Sequence, residues 1–102
     1  MDIQDRENKI KMLVEALKPL GVLRISIFGS FARSETNPND IDVMILFERG
    51  AKKKLGMNWF TLADTLSKRL GIPVDLITEE SIAASLKHYV QRDLKVIYEK
   101  AG

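Results

Sequence analysis

The 102-residue sequence predicts an α/β (α+β) fold, a small sheet with helices packed on it, and three observations predict it. Apolar residues recur at helical spacing in several segments, the period drops to two near residue 23, and residues 41–47 are almost continuously apolar and branched. With 45% hydrophobic residues there is material for one core, so a single domain over residues 1–102 is expected.

Taken in order, Ile3, Ile10, Leu13, Val14 and Leu17 form the stripe of an opening amphipathic helix that Pro19 and Gly21 end. Leu23, Ile25 and Ile27 then alternate with Arg24, Ser26 and Phe28, giving a first strand at 23–28 that Gly29 breaks. After a polar interval containing Pro38 and Asn39, residues 41–47 read as a central strand buried on both faces. Residues 49–56 read as a basic, glycine-punctuated loop. Trp59, Leu62, Ala63, Leu66 and Leu70 mark a helix closed by Gly71 and Pro73, and residues 74–77 a short third strand. Thr78 suits an N-cap, with Glu79 and Glu80 in the first turn and Ile82, Leu86, Tyr89 and Val90 continuing at helical spacing. Beyond them, periodicity through Leu94, Ile97 and Tyr98 prefers more helix, although residues 96–98 also suit a terminal strand.

Composition narrows the chemistry. Sixteen basic residues against fourteen acidic ones leave a net charge of +2, which disfavours a nucleic acid as direct ligand. The absence of cysteine excludes disulfides, thiol nucleophiles and Cys zinc sites, and one histidine excludes paired-His metal sites. Carboxylates are the chemistry left. No apolar run has signal or spanning length, so a cytoplasmic protein without membrane attachment is expected.

The informative segment runs from Phe28-Gly29-Ser30 through Arg33 to Asp40-Ile41-Asp42. Glycine at a strand's carboxyl end permits a tight turn and close approach of a ligand; Ser30 can cap a short helix of residues 31–33 whose free N–H groups suit a phosphate. Asp40 and Asp42, at i and i+2, project from one face with Cα atoms about 6.5–7 Å apart, a spacing that can bridge magnesium ions. Asp75, between Val74 and Leu76, is the natural third carboxylate, since an unpartnered Asp buried on an apolar strand is costly. Each piece alone has a plainer reading, as a turn or a solvated edge position. Their coincidence at one separation is expected roughly once in several hundred chains of this length. Elsewhere, His88 reads as a surface residue, Arg49 and Lys52 to Lys54 as a solvated loop, Trp59 and Phe60 as core or interface, and Glu35 as a site residue or a charge partner.

With these motifs the chain resembles the minimal nucleotidyltransferases of the polymerase-beta-like superfamily, whose signature is Gly-Ser, ten residues, then Asp-x-Asp. The resemblance implies that fold, with the last residues as a strand. It implies two Mg2+ ions and an NTP held by Asp40, Asp42 and Asp75, with Gly29, Ser30 and Arg33 binding nucleotide. It further implies AMP transfer from ATP to a protein hydroxyl, with a small helical HEPN ribonuclease toxin as partner and this chain as antitoxin. The alternatives are a catalytically weak module that only binds its partner, or a small-molecule nucleotidyltransferase, whose relatives carry additional domains. Three departures stand out: nine residues separate Ser30 from Asp40, Ser34 replaces the usual glycine, and Asn39 replaces the usual serine.

Overall fold

A computed structural model describes residues 1–82 and 84–101. Helix α1 (Ile3–Leu17) opens where the Asp2 carboxylate accepts from the Asp5 backbone N–H at 2.7 Å, and it buries Leu13 and Leu17 completely. A 3₁₀ turn, Lys18–Leu20, leads into β1 (Val22–Phe28), followed by a one-turn helix α2 (Gly29–Ala32) and β2 (Ile41–Phe47). Helices α3 (Ala51–Leu55) and α4 (Asn58–Leu70) cross over to β3 (Val74–Thr78), and α5 (Ala84–Asp93) precedes β4 (Lys95–Glu99).

The sheet order is β3-β2-β1-β4, with β2 and β3 parallel and the other pairs antiparallel. Only the parallel pair needs a long crossover, and α3 and α4 supply it. Ile25, Ile27, Ile41, Val43, Ile45 and Val74 join Leu13, Leu17, Leu66 and Leu70 in the core between the sheet, α1 and α4. Arg24, Ser26, Phe28, Asp42 and Met44 alternate onto the opposite face, the side that α5 covers. There the Arg24 guanidinium donates twice to Glu79, at 2.8 Å each, and once to Glu99 at 3.0 Å, tying β1 to β4 and to the segment after β3. No described helix is long and apolar enough to cross a membrane.

Two expectations are corrected. Residues 49–56 are not all loop, because Ala51 is buried beside three helix-compatible lysines and Gly50 and Gly56 bracket one turn of α3. The helix expected from Thr78 begins at Ala84. Thr78 makes no side-chain cap; the Ser81 hydroxyl donates to its carbonyl at 2.9 Å and Glu79 is held by Arg24, so a 3₁₀ turn forms and Ile82 is extended. Ala83, and the Leu86 and Tyr89 side chains of the expected stripe, lie outside the described residues. The terminal strand is as the family resemblance implies: residues 95–99 pair with β1, Ser26 opposite Val96 and Ile25 opposite Tyr98. A free sheet edge overrides the helical period there.

After α2 the chain reverses at Ser34, whose φ of +62° makes it the single non-glycine residue in the left-handed region among the described residues. The Ser34 N–H donates to Phe31 O and the Glu35 N–H to Ser30 O, at 3.1 and 3.2 Å. Glycine is usual here in resembling chains because it takes this conformation without a Cβ clash. Ser34→Gly is therefore expected to raise the melting temperature by about 2–5 °C, the left-handed relief exceeding glycine's extra unfolded-state entropy; thermal denaturation followed by circular dichroism checks it.

Candidate active site

The end of β1 lies beside the start of β2, with Phe28 opposite Asp42, and Asp42 is in turn opposite Asp75 on β3. Register alone thus brings two carboxylates onto one face of neighbouring strands. Asp40 stands just before β2 and two residues from Asp42, so it shares that face. One carboxylate oxygen from each of Asp40, Asp42 and Asp75 lies within 4.8 Å of the others. The nine-residue interval after Ser30 is therefore long enough to bring them together.

Burial is distributed differently from expectation. Asp75 is exposed, because β3 is the edge strand, so the desolvation argument made for it does not hold. The cost falls on the partly buried Asp42 instead: burial first, then the charges of Asp40 and Asp75, push its carboxyl up to about 6. Nearest to it is Gly29. This residue sits at φ +73°, and a Cβ on it would lie 2.4 Å from Asp42 Oδ2, so the turn must be glycine for steric as well as conformational reasons.

Helix α2 is fixed from below. Phe31 and Ala32 are fully buried, the Arg6 guanidinium lies over the Phe31 ring at 4.4 Å, and Arg6 Nη1 donates to Phe31 O. Ser30 is the second residue of this helix rather than its cap, because the helix starts at Gly29 and no side chain caps it. Arg33 is engaged on both sides: Nε and Nη2 donate to Glu35 at 2.9 and 2.7 Å, and Nη1 donates to Asp93 at 2.8 Å. The Arg33 hydrogen bond holds the Asp93 carboxyl below its usual range. The end of α5 is thereby attached to the motif turn.

Phe28, Gly29, Arg33, Asp42, Val90, Arg92 and Asp93 line a cavity of about 290 Å³. Sequence reading missed Arg6, Arg92 and Asp93. Arg6 left a signal, a basic residue on the apolar stripe between Ile3 and Ile10; Arg92 and Asp93 left none, since only the return of α5 to this end brings them here. Arg49, Lys52 and Lys53 are not at the site but around a cavity beyond Phe47 at the far end of β2, and His88 is exposed on α5.

Linkage gives a stability test. The folded chain keeps a proton on Asp42 between the ordinary carboxyl value and about 6, where the unfolded chain has lost it, so this group lowers metal-free stability as pH rises through that window. Asp42→Asn should then raise the melting temperature of the metal-free protein by about 2–4 °C at pH 7.5, and the gain should shrink towards pH 4.5; scanning calorimetry at both pH values measures it.

Comparison with known proteins supports the same fold and chemistry. A protein of Methanocaldococcus jannaschii named "Putative protein adenylyltransferase MJ1379" is 39% identical over 75 residues, covering 72% of this chain and 74% of its own. A solved structure described as "Structure of putative minimal nucleotidyltransferase" superposes with a TM-score of 0.72 at 27% identity over 93% of this chain and 95% of that one. A toxin-antitoxin structure with AMP-PNP gives 0.63 at 27% identity over 92% and 73%. Residues 8–101 match the family model described as "Polymerase beta, Nucleotidyltransferase", so nearly the whole chain, its motif turn and its three carboxylates included, belongs to that family of nucleotidyltransferases.

Proposed function

We propose that this chain, as a single domain over residues 1–102, transfers AMP from ATP to a hydroxyl on a protein partner. In this reading Asp40, Asp42 and Asp75 are the catalytic and metal-holding residues. The observation that carries it is their approach to within 4.8 Å beside the Gly29 turn. The donor set fits a hard divalent ion: all three ligands are carboxylate oxygens, and the mutual repulsion felt by Asp42 is what a bound cation relieves. Magnesium held there, most simply as two ions, supplies charge neutralisation for an in-line phosphoryl displacement.

Asp40 and Asp42 hold the triphosphate end of the nucleotide and Asp75 the acceptor end. Backbone N–H groups of Gly29 and Ser30 face the phosphates. Arg33, clamped by Glu35 and Asp93, positions the turn and the end of α5 in addition to its charge at the nucleotide. Arg92, whose one ion pair among the described residues, to Asp93, is a long 3.5 Å, is the cation left to meet the leaving pyrophosphate. The acceptor oxygen forms a bond to the α-phosphorus while the bond to the β-phosphate oxygen breaks, and the hydroxyl proton passes to solvent.

The protein acceptor is supported by the name of the similar adenylyltransferase, and a toxin partner by the similar toxin-antitoxin structure with its ATP analogue. The motif resemblance makes that partner a small helical HEPN protein. A cytoplasmic location belongs to the same proposal, since ATP and magnesium are available there and the chain has no cysteine.

Two experiments test this reading. Incubation with ATP, magnesium and the helical protein encoded beside it should add one or more AMP units to that partner by intact mass, and Asp40→Ala should add none; a stable complex without added mass would instead support binding alone. In calorimetric titrations Arg92→Ala should weaken ATP binding at least fivefold and leave AMP binding nearly unchanged. Equal losses for both nucleotides would remove Arg92 from the polyphosphate.

A further inference from the structure

At the opposite end of β2 from the carboxylates, about 16 Å along the strand, the turn after Phe47, α3 and the start of α4 line an open cavity of about 600 Å³. Phe47, Trp59 and Phe60 form its apolar wall, and Arg49, Lys52 and Lys53 stand around it. Phe60 and the neighbouring Met57 are 74% and 78% exposed, matched among the described large apolar side chains only by Ile3. Phe47 and Trp59 pack edge to face at 5.7 Å, so the wall is braced from the core.

Two carboxylates, Glu48 and Glu80, also line the cavity, but the charge around this wall is mostly positive. Arg49, Lys52, Lys53 and Lys54 are all exposed and form no ion pair with any described residue, whereas the adjacent Glu48 is taken by Lys100. Lys52 instead holds its ammonium 5.1 Å above the Trp59 ring. We propose that this cavity docks an acidic polypeptide segment that inserts an aromatic or large aliphatic side chain against Trp59 and Phe60 while its carboxylates meet Arg49, Lys52 and Lys53. An apolar anchor inside a charged rim is the arrangement of a compact protein-docking site. A nucleic acid needs a track of phosphate contacts, and here the cations are confined to one cavity on a chain of net charge +2. A second copy of the chain meeting this surface across a two-fold axis would oppose lysine to lysine. The surface lies apart from the carboxylates and does not depend on the transfer reaction.

The test uses fluorescence anisotropy without ATP or magnesium, with labelled glutamate-tyrosine copolymer, polyglutamate and oligouridylate as probes and sedimentation for self-association. The copolymer should bind most tightly and weaken with salt. The double variant Lys52→Glu/Lys53→Glu, or Arg49→Glu should it fold poorly, should lose at least tenfold in affinity, and Phe60→Ser at least threefold. Asp42→Asn should bind as the wild type does, so the outcome is read separately from nucleotidyl transfer. Equal copolymer binding by the charge-reversed and wild-type proteins, tighter binding of oligouridylate, or dimerisation that Phe60→Ser abolishes would overturn the proposal.

Discussion

The closest constraint in this molecule is the approach of Asp42 to the backbone of Gly29, where a single added carbon would meet a carboxylate oxygen at 2.4 Å. The positive φ of Gly29 turns the chain directly from β1 into α2, and the missing side chain leaves the Asp42 carboxylate its place. Strand register does the rest. Phe28 opposite Asp42 and Asp42 opposite Asp75 mean that any slip of one residue would send a carboxylate through the sheet into the core face. The fully buried side chains that flank this point, Phe31 in α2 and Ile41 and Val43 in β2, make such a slip costly.

That geometry is bought at a local electrostatic loss. Three carboxylates face one another with no ion pair to an arginine or lysine among the described residues, and the partly buried Asp42 carries the penalty. The Arg33 guanidinium, which lines the same cavity as Asp42, is paired instead with Glu35 and Asp93. A structural ion-pair network would have put the cation among the carboxylates; here the neutralising charge is left to be supplied from outside. Arg33 meanwhile joins the motif turn to α5, so the helix that walls the cavity and the turn that floors it are held as one unit.

Much of this was legible in the sequence. The alternation through Ile25 and Ile27 and the branched run at 41–47 gave both central strands, and the spacing of Gly29, Asp40 and Asp42 marked the site. What failed failed for tertiary reasons. Thr78 has the chemistry of an N-cap, but its following Glu79 is claimed by Arg24 from across the sheet; the terminal strand at residues 95–99 was legible through the motif resemblance and not through its own period, because that period does not record the open edge of β1 it fills. The apolar neighbours of Asp75 suit a buried position and a solvated edge position alike; only the strand order shows that β3 is an edge, where alternate side chains reach water. Arg92 and Asp93 were out of reach because nothing local records that α5 returns to the motif end.

Strand β2 gives these observations a common frame. Its first residues carry the carboxylates, and its last, Phe47, supports the Trp59 wall of the basic cavity. Between them Val43 and Ile45 are fully buried and Met44 nearly so, hydrogen-bonded to β1 on one side and β3 on the other. A strand paired on both edges and buried along its middle does not flex independently of the sheet, so the two ends keep a fixed separation. The acidic end repels an acidic chain and the basic end attracts one. If the proposed acidic segment docks at the basic end, this charge difference would orient its carrier along β2 before any contact with the carboxylates.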